Sequence, residues 1–468
     1  MKPLMNPYLP SWEYIPDGEP YVFGDRVYVY GSHDRFNGWA FCLNDYVCWS
    51  APVDDLGSWR YEGVIYRKEQ DPRNAEGRAC LYAPDVTQGP DGRYYLFYVL
   101  DKECIVSVAV SDTPAGPYAF HGYVHDAQGG LLGERPGDEP QFDPGVLTED
   151  GRTYLYTGFC GSTDPSRHGP MVTVLAEDML TIIREPAFIA PSKPYSEGTC
   201  WAEHAFFEAP SIRRHGDTYY FIYSSVLMCE LCYATSRSPL GPFTFGGVIV
   251  SNNDIGIGTY KPADKPMNYG GNNHGSMVSI AGQWYIFYHR QTNGHQFSRQ
   301  ACLEKITILP DGSIPQVEIT SCGGTPLPGR GTYPAHIACN LLCRTDAPYV
   351  GGVTGWMDDR FPKITQDGTD GTECPAYVAN LQCGASAGYK YFDCRGVTSV
   401  AVTTRSYANG DIVVSTAWDG APLCRIPVRY SNVWITASAP IDLPDGIHAL
   451  YFRFEGEGAV SLKDFTLA

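Results

Sequence analysis

The sequence predicts an all-β protein in which a five-bladed β-propeller is followed by a β-sandwich domain. Three observations support this fold class. The composition, with 50 glycines, 36 prolines and 13% aromatic residues, is typical of many short strands joined by tight turns. One turn-and-strand pattern recurs five times along the chain. At 468 residues, the chain is also longer than a single hydrophobic core usually grows, which favours two domains.

Each of the five repeats opens with a turn that contains glycine, aspartate or both, followed by alternating aromatic and aliphatic residues. Successive repeats begin 67, 59, 66 and 66 residues apart. Alternation after a turn indicates a half-buried strand that leaves a hairpin. Five such units predict a five-bladed propeller over residues 1–320. The repeats are GDRVYVYGS from Gly24, DGRYYLFYV from Asp91, DGRTYLYTG from Asp150, GDTYYFIYS from Gly216 and GQWYIFYHR from Gly282.

The rest of the chain predicts a linker and a second domain. Residues 321–340 are rich in glycine and proline, which is typical of a linker. Residues 341–468 contain short alternating segments such as VTSVAVTTRSY and HALYFRFEG. These segments predict a β-sandwich.

The net charge restricts the possible binding partners of the protein, and the apolar segments and cysteines bear on its cellular compartment. A formal net charge of -18 argues against nucleic acid and membranes as partners, but it suits a neutral, hydroxyl-rich ligand. The sequence shows no apolar leader and no long apolar span, so we expect a cytoplasmic protein. Its 16 cysteines are then expected as reduced thiols. Cys229 and Cys232 form a CxxC without a second ligand pair, and we expect two strand cysteines rather than a zinc site.

A polar residue lies six to eight positions before the turn of every repeat. The innermost strands of a propeller line a central channel, so residues at their starts converge on one end of it. One such carboxylate alone would be read as a turn cap. Four carboxylates and a histidine at matching positions instead predict a site. Apolar neighbours would raise the pKa of a carboxyl there, as a general acid requires. The five residues are Asp17, Asp85, Asp143, Glu208 and His274.

These segments resemble glycoside hydrolase family 43. The stretch NPYLPSWEYIPDGEPYVFGDRVYVYGSHD looks like the opening blade of that family, and YAPDV, FDP, FEAPSI and NNHGS look like its later blades in the same order. The resemblance covers about residues 5–320. It implies a five-bladed hydrolase that acts on pentose-containing saccharides with inversion, using an Asp base, a Glu acid and a second Asp that tunes the acid.

Carried over residue by residue, the resemblance makes Asp17 the general base, Glu208 the general acid and Asp143 the modulator of its pKa. The family often has Asp-Pro at the base, where this chain has Asp-Gly. Glu13 and Glu19 therefore remain alternative bases. An inverting hydrolase needs about 6.5–9.5 Å between its acid and its base, to admit a water molecule.

The resemblance also implies roles outside the carboxylates. Arg299 resembles a substrate-contacting arginine, with a surface salt bridge as the alternative. His274 matches a histidine that, in several members, orders water around a bound calcium or another ion, with a satisfied core histidine as the alternative. Asp85 matches a structural position at the funnel wall. No organic cofactor is expected.

Aromatic residues near these motifs are candidates for stacking on a sugar ring. Trp39, Phe41 and Trp201 are the candidates, and each would serve equally well as a core residue. The second domain resembles a family 6 carbohydrate-binding module. Asp464 fits one ligand of the structural calcium of that module, but the acidic segment that opens it is missing. Trp418, Trp434 and Tyr451 would form its sugar platform, and a purely structural sandwich is the alternative.

The function that follows is exo-hydrolysis, with release of terminal β-D-xylose or α-L-arabinofuranose from xylo-oligosaccharides or arabinoxylan fragments. One alternative is a retaining fructoside hydrolase, although PDGEP is a poor match to the Asn-Asp-Pro-Asn type of segment expected there. The other is a carbohydrate-binding propeller without catalysis, which the presence of all three carboxylates disfavours.

Overall fold

The computed structural model describes residues 2–343 and 360–468, and residues 2–306 contain a propeller of five blades. In each blade, consecutive strands pair antiparallel from the channel outwards. Blade 1 contains β1 (Glu19–Phe23), β2 (Arg26–Tyr30), β3 (Tyr46–Pro52) and β4 (Arg60–Tyr66). Blade 2 contains β5 (Asp85–Gln88), β6 (Tyr94–Tyr98), β7 (Ser107–Ser111) and β8 (Ala119–Tyr123).

Blades 3 to 5 continue this arrangement, and blade 5 has three strands of its own. Blade 3 contains β9 (Gly145–Glu149), β10 (Arg152–Thr157), β11 (Met171–Leu175) and β12 (Ile182–Phe188). Blade 4 contains β13 (Phe206–His215), β14 (Thr218–Ser225), β15 (Glu230–Ser236) and β16 (Thr244–Ser251). Blade 5 contains β17 (Met277–Ile280), β18 (Gln283–Gln291) and β19 (Arg299–Ile306). Short 3-10 helices span Lys68–Gln70, Pro72–Asn74, Lys193–Tyr195 and Ala335–Ile337.

The five sequence repeats are the second strands of the blades, as predicted, and the turn of each repeat is the hairpin that precedes that strand. They are more buried than the alternation suggested, because β6 and β14 are buried at almost every position. Both faces of a blade pack against neighbouring blades. A cluster of buried apolar side chains accordingly lies between each pair of adjacent blades.

The N-terminal segment closes the ring between blades 5 and 1. The backbone N–H of Tyr8 donates to the carbonyl of Ala301 in β19 at 3.1 Å. The buried Asn6 side chain donates to the carbonyl of Leu303 at 2.7 Å and accepts from its N–H at 3.0 Å. This segment takes the place of a fourth strand in blade 5. The closure therefore depends on contacts between residues almost 300 positions apart in the chain.

The second domain is a sandwich of two six-stranded sheets around one buried core. The first sheet contains β20 (Leu327–Pro328), β22 (Asn340–Leu342), β25 (Ser386–Cys394), β27 (Asn409–Ser415), β28 (Cys424–Val428) and β30 (Gly446–Glu457). The second contains β21 (Gly331–Pro334), β23 (Lys363–Thr365), β24 (Tyr377–Gln382), β26 (Ser399–Ser406), β29 (Ser431–Pro440) and β31 (Ala459–Leu467).

The segment 321–340, expected as a linker, is built into the sandwich instead. Strand β20 pairs with β25, β21 pairs with β31, and β22, which begins at Asn340, pairs with β25. The glycines and prolines that suggested a linker make the turns between these very short strands. The chain therefore passes from propeller to sandwich without a free tether.

A buried ion pair joins the two domains. The Lys390 ammonium lies 2.9 Å from Asp254 Oδ2 and 3.1 Å from Glu318 Oε2, and the Lys390 and Asp254 side chains are fully buried. The apolar contact beside it includes Trp418 and Tyr451, packed with Met267 of the propeller. These two rings are thus part of the domain interface.

The expected sugar platform of Trp418, Trp434 and Tyr451 is therefore wrong. Trp434 lies on β29 of the opposite sheet, where it packs against Tyr377 and the Arg405 guanidinium. Asp464 lies on β31, paired in register with Pro334 and Thr403.

The sixteen cysteines all fall within the described residues and are free thiols. Cys232 lies on β15, and Cys229 lies in the turn before it. Among the described helices, none is long and apolar enough to cross a membrane.

Candidate active site

A pocket of about 230 Å³ opens at one end of the central channel, and all three predicted carboxylates line it. Asp17 comes from blade 1, Asp143 from blade 3 and Glu208 from blade 4. Each of them is buried. His274 and Arg299 of blade 5 line the same pocket.

The backbone is strained at the points where the carboxylates enter the pocket. Asp17 and Asp143 each lie two residues before the innermost strand of their blade, with φ values of 59° and 45°. In β13, the register shifts on both sides of Glu208, and Ala209 has a φ of 65°. A bulge of this kind redirects a side chain out of the regular alternation. Left-handed conformations at non-glycine residues cost free energy and concentrate at functional sites.

Close packing of blades 3 and 4 places Asp143 next to Glu208. A Cβ atom on Gly145 would lie 2.1 Å from the carbonyl oxygen of Pro210, so only glycine fits at this position. Asp143 Oδ2 accepts a hydrogen bond from the N–H of Ala209 at 3.2 Å. The two carboxylates are therefore held by neighbouring backbone segments.

Asp17 is held in its ionised form. Arg299 Nη1 donates to Asp17 Oδ1 at 3.0 Å, and the Asp17 N–H donates to His289 Nδ1 at 3.2 Å. Burial alone would raise the pKa of Asp17, but Arg299, followed by His289 and His274, outweighs burial and lowers the pKa below its ordinary value. A buried carboxylate that stays charged suits a general base.

Asp34 completes this charge network, and sequence reasoning missed it. Its carboxylate accepts two hydrogen bonds from Arg299, from Nε at 2.8 Å and from Nη2 at 2.9 Å. Asp34 also accepts from the N–H of Cys42 at 3.0 Å. The arginine therefore binds both carboxylates, and it is not the surface salt-bridge partner offered as the alternative. The one signal in the sequence is a charged residue four positions after the aromatic strand of the first repeat, in YGSHD.

The pKa values of Glu208 and Asp143 are raised, whereas that of Asp17 is lowered. Burial and the charge of Asp17 raise the pKa of Glu208 to about 8. Burial, followed by the charges of Glu208 and Asp17, raises the pKa of Asp143 well above its ordinary value. Two adjacent buried carboxyls repel each other when both are ionised, so the pair retains a proton near neutral pH. The pocket thus offers one ionised carboxylate and one protonated carboxyl.

An aromatic collar, formed by Tyr82, Phe142, Phe159 and Phe207, surrounds the pocket. Neighbouring rings of the collar lie with centroids 5.1 to 5.6 Å apart. Phe41 also lines the pocket and packs against the same small apolar cluster as Tyr82, with its ring 4.6 Å from the Arg299 guanidinium carbon. Rings of this kind exclude water and stack on the apolar faces of sugars. In the sequence, Phe142 and Phe207 are adjacent to Asp143 and Glu208, whereas Tyr82 and Phe159 are not next to a carboxylate of the pocket.

Of the three predicted stacking residues, one lines the pocket. Phe41 lies in its wall, whereas Trp39, on the same loop, is 79% exposed and lies outside the lining. The prediction for Trp201 is wrong, because Trp201 is buried in the core between blades 3 and 4 against Tyr223. A tryptophan near an acidic motif can line a pocket or lie in the hydrophobic core, and the local sequence does not distinguish these two positions.

The alternative bases lie outside the pocket lining. Glu13 accepts a hydrogen bond from Trp49 Nε1 at 3.0 Å. Glu19 lies deeper in the channel, where its Oε2 lies 2.6 Å from Arg213 Nη2. Asp85 is the first residue of β5, and its carboxylate accepts from Tyr21 and from the N–H groups of Val86 and Val146. Asp85 thus ties blade 2 to blades 1 and 3.

The channel below the pocket has two donors suited to a cation. Glu19 Oε1 is buried without a hydrogen bond among the described residues, and it faces His274 Nε2 at 3.9 Å. His274 Nδ1 faces Asp17 and Asp143, at 3.9 and 3.7 Å. Burial lowers the pKa of His274, so the ring is a neutral potential ligand. These donors fit a hydrated cation, although Arg213 already neutralises the other oxygen of Glu19.

A second group of potential metal ligands lies on blade 4, but hydrogen bonds within the protein satisfy its side chains. His204, Glu230 and Cys232 place such atoms within 4.8 Å of one another. Glu230 Oε1 accepts from His204 and from Ser225, both at 2.6 Å. The group therefore reads as a satisfied hydrogen-bond network.

Comparison with known proteins agrees with this geometry. Residues 13–314 match the model of Glycosyl hydrolases family 43. A protein from Thermoclostridium stercorarium named xylosidase/arabinosidase is 67% identical over 468 residues, which is 100% of this chain and 99% of that protein. Among solved structures, a family 43 β-xylosidase/α-arabinofuranosidase from a compost microbial metagenome, with xylotriose and in a calcium-free form, is 26% identical. It covers 68% of this chain and 98% of its own, with a TM-score of 0.52.

A second solved structure extends the likeness in fold to the whole chain. It is a family 43 arabinoxylan arabinofuranohydrolase from Bacillus subtilis in complex with cellotetraose. It is 21% identical, covers 100% of this chain and 99% of its own, and has a TM-score of 0.52.

Proposed function

The chain belongs to glycosyl hydrolase family 43, and on that premise we propose that it removes single pentose units from the ends of xylo-oligosaccharides or arabinoxylan fragments. It is a glycoside hydrolase of the xylosidase/arabinofuranosidase type. The released sugar is β-D-xylose, α-L-arabinofuranose or both. A pocket of about 230 Å³ suits one terminal sugar better than a continuous chain.

The observation that carries this proposal is the contrast in protonation within one pocket. Asp17 is ionised beside Arg299, while the adjacent pair of Glu208 and Asp143 retains a proton near neutral pH, which Glu208 is proposed to donate. In an inverting hydrolysis, Asp17 takes a proton from water as the water oxygen bonds to the anomeric carbon. Glu208 gives its proton to the glycosidic oxygen as the bond between that oxygen and the anomeric carbon breaks. Trp39, exposed beside the pocket, is a proposed contact for the part of the substrate outside it.

The test of the function is hydrolysis of 4-nitrophenyl β-D-xylopyranoside and 4-nitrophenyl α-L-arabinofuranoside, followed by proton NMR. We expect turnover of at least one of them. The first sugar formed from the xyloside should be the α-anomer, before mutarotation, because water attacks the face opposite the leaving group. A first-formed β-anomer would show retention and remove Asp17 as a base, and no turnover of any pentoside would contradict the proposed function.

Substrates with different leaving groups distinguish the roles proposed for Asp17 and Glu208. Asp17→Ala and Glu208→Ala should each lower kcat by about 10²–10⁴-fold. Glu208→Ala should lose much less on the nitrophenyl substrate than on xylobiose, because nitrophenolate leaves without protonation. Asp17→Ala should lose similar factors on both. Glu13→Ala, at the alternative base outside the lining, serves as the control and should keep most of its activity. The reverse pattern of leaving-group sensitivity would exchange the two roles.

Asp143 is proposed to act through its charge on Glu208. Asp143→Asn removes one member of the adjacent carboxyl pair and with it their mutual repulsion, so the pKa of Glu208 should fall. The acid works only when protonated, so the alkaline limb of the pH–rate profile should move to lower pH, by roughly 0.5–2 units. Asp150→Asn is a matched control, since Asp150 also has a left-handed φ of 50° but lies in the hairpin between β9 and β10, at the opposite end of β9 from Asp143. An unchanged profile in Asp143→Asn would limit Asp143 to capping its turn.

We propose a structural Ca²⁺ between Glu19 and His274, with water as the other ligands. The bound ion would supply positive charge beneath the carboxylates and hold His274 in place. Addition of CaCl₂ to chelator-treated protein should raise its melting temperature, because a ligand that binds only the folded state stabilises it. The increase should be absent in Glu19→Gln and smaller with MgCl₂. A melting temperature that does not respond to calcium would rule out the ion.

A further inference from the structure

Residues 363–370 of the sandwich, which we call the edge segment, contact loops of the propeller beside the pocket. It starts with β23 at the edge of the second sheet and continues into the loop towards β24. It lies against two loops of the propeller. One joins β2 to β3 and carries Asp34 and Phe41, and the other joins β18 to β19 and leads into Arg299.

The first contact is centred on Asn293, in the loop between β18 and β19. Its N–H donates to the carbonyl of Ile364 at 2.6 Å, and its Oδ1 accepts from Thr365 Oγ1 at 2.6 Å. Its Nδ2 donates to Oδ1 of Asn37, in the loop between β2 and β3, at 2.7 Å. Asn293 and Thr365 are buried. One side chain thus connects the sandwich to both loops.

The second contact reaches the loop of blade 1 directly. Asp370 Oδ1 accepts from the N–H of Phe36 at 2.7 Å, and Asp370 Oδ2 accepts from Asn44 Nδ2 at 3.2 Å. These two partners flank the residues that line the pocket, Phe41 and Cys42. The edge segment therefore holds this loop near both of its ends.

The two loops also meet each other at the pocket. Phe41 packs edge-on against Phe297, with centroids 4.7 Å apart. Asp34 of one loop binds Arg299 at the end of the other. Any displacement of either loop would move the guanidinium that contacts Asp17.

We propose that the edge segment is a positioning element of the active site, with Thr365 and Asp370 as its positioning residues. They touch no substrate and act through the two loops, which they hold where Phe41 and Arg299 form the wall of the sugar site. This inference rests on the proposed function and assigns the sandwich a part in it that requires no sugar binding by the sandwich. A shift of about 1 Å in such a wall can cost up to about 100-fold in rate.

The test uses Thr365→Val and Asp370→Ala in the full chain, with kinetics on the nitrophenyl pentosides. Valine keeps the shape of Thr365 but removes the hydroxyl donor, and it leaves the buried Asn293 Oδ1 without that partner. We expect KM to rise and kcat/KM to fall roughly ten-fold in each variant. Thr365→Ser keeps the hydroxyl and should restore most of the loss. A purely structural role would reduce the folded fraction, and so lower kcat with KM unchanged.

Matched controls exist within the same sandwich. Thr403→Val removes a surface hydroxyl on β26 that pairs with Thr436, and Asp393→Ala removes a carboxylate on β25, outside the edge segment, that pairs with Arg395. Both should match the wild type in KM. If Thr365→Val fails to fold, Asp370→Ala still decides the question, because its side chain is at the surface.

Hydrogen exchange provides a readout without substrate. The peptide covering residues 33–45 should exchange faster in Thr365→Val and Asp370→Ala than in the wild type and both controls. Unchanged KM together with unchanged exchange would overturn the proposal. If the wild type hydrolyses no pentoside, the proposed function fails, whereas the exchange measurement still decides whether the edge segment holds the loop.

Discussion

The chemistry of this molecule depends on one buried guanidinium, that of Arg299. It binds Asp17 on one side and Asp34 on the other, and it is 2% exposed. A buried charge is tolerated only when it is paired, and here two carboxylates share one cation. The charge of Asp17 is thereby fixed as negative. That charge in turn raises the pKa of Glu208. The proposed base and the proposed acid therefore differ in pKa, because Arg299 offsets burial at Asp17, whereas burial and the charge of Asp17 act in the same direction on Glu208.

The channel beneath the pocket repeats this arrangement. Arg213 lies beside Glu19 and over the ring of Tyr21, whose hydroxyl donates to Asp85. Burial and the Asp85 carboxylate raise the pKa of Glu19 to about 7. Burial raises the pKa of Asp85 to about 6, and Arg213 opposes both shifts. Here too, two carboxyl groups share one arginine, so their negative charge would exceed its positive charge if both were ionised. The excess is balanced by a retained proton or by a bound cation, which is why His274 and Glu19 Oε1 are suited to an ion.

The sequence predicted the blades and five polar residues near the channel from local spacing, and the family resemblance selected three carboxylates among them. A turn followed by alternating residues identifies the second strand of each blade, and a carboxylate shortly before that hairpin enters the channel, as Asp17 and Asp143 do. Asp85 does not fit this rule, because it already belongs to β5 and makes inter-blade hydrogen bonds instead. Trp201 and Asp34 were not predictable. The burial of Trp201 and the pairing of Asp34 with Arg299, 265 residues away, are set by tertiary packing.

The long-range contacts concentrate at one junction of the ring. Blades 1 and 5 are the first and last along the chain, so no chain connection joins them directly. Asn6 ties the N-terminus to β19, Gly18 bridges Gly275, and Arg299 of blade 5 binds Asp17 and Asp34 of blade 1. A propeller would open most readily where its ends meet, and here the ion pair between Arg299 and Asp17, the proposed base, spans that place. The edge segment of the sandwich covers the same junction through Asn293 and Phe36. Ring closure, the charge of Asp17 and the docking of the sandwich are therefore coupled, because the same two loops take part in all three.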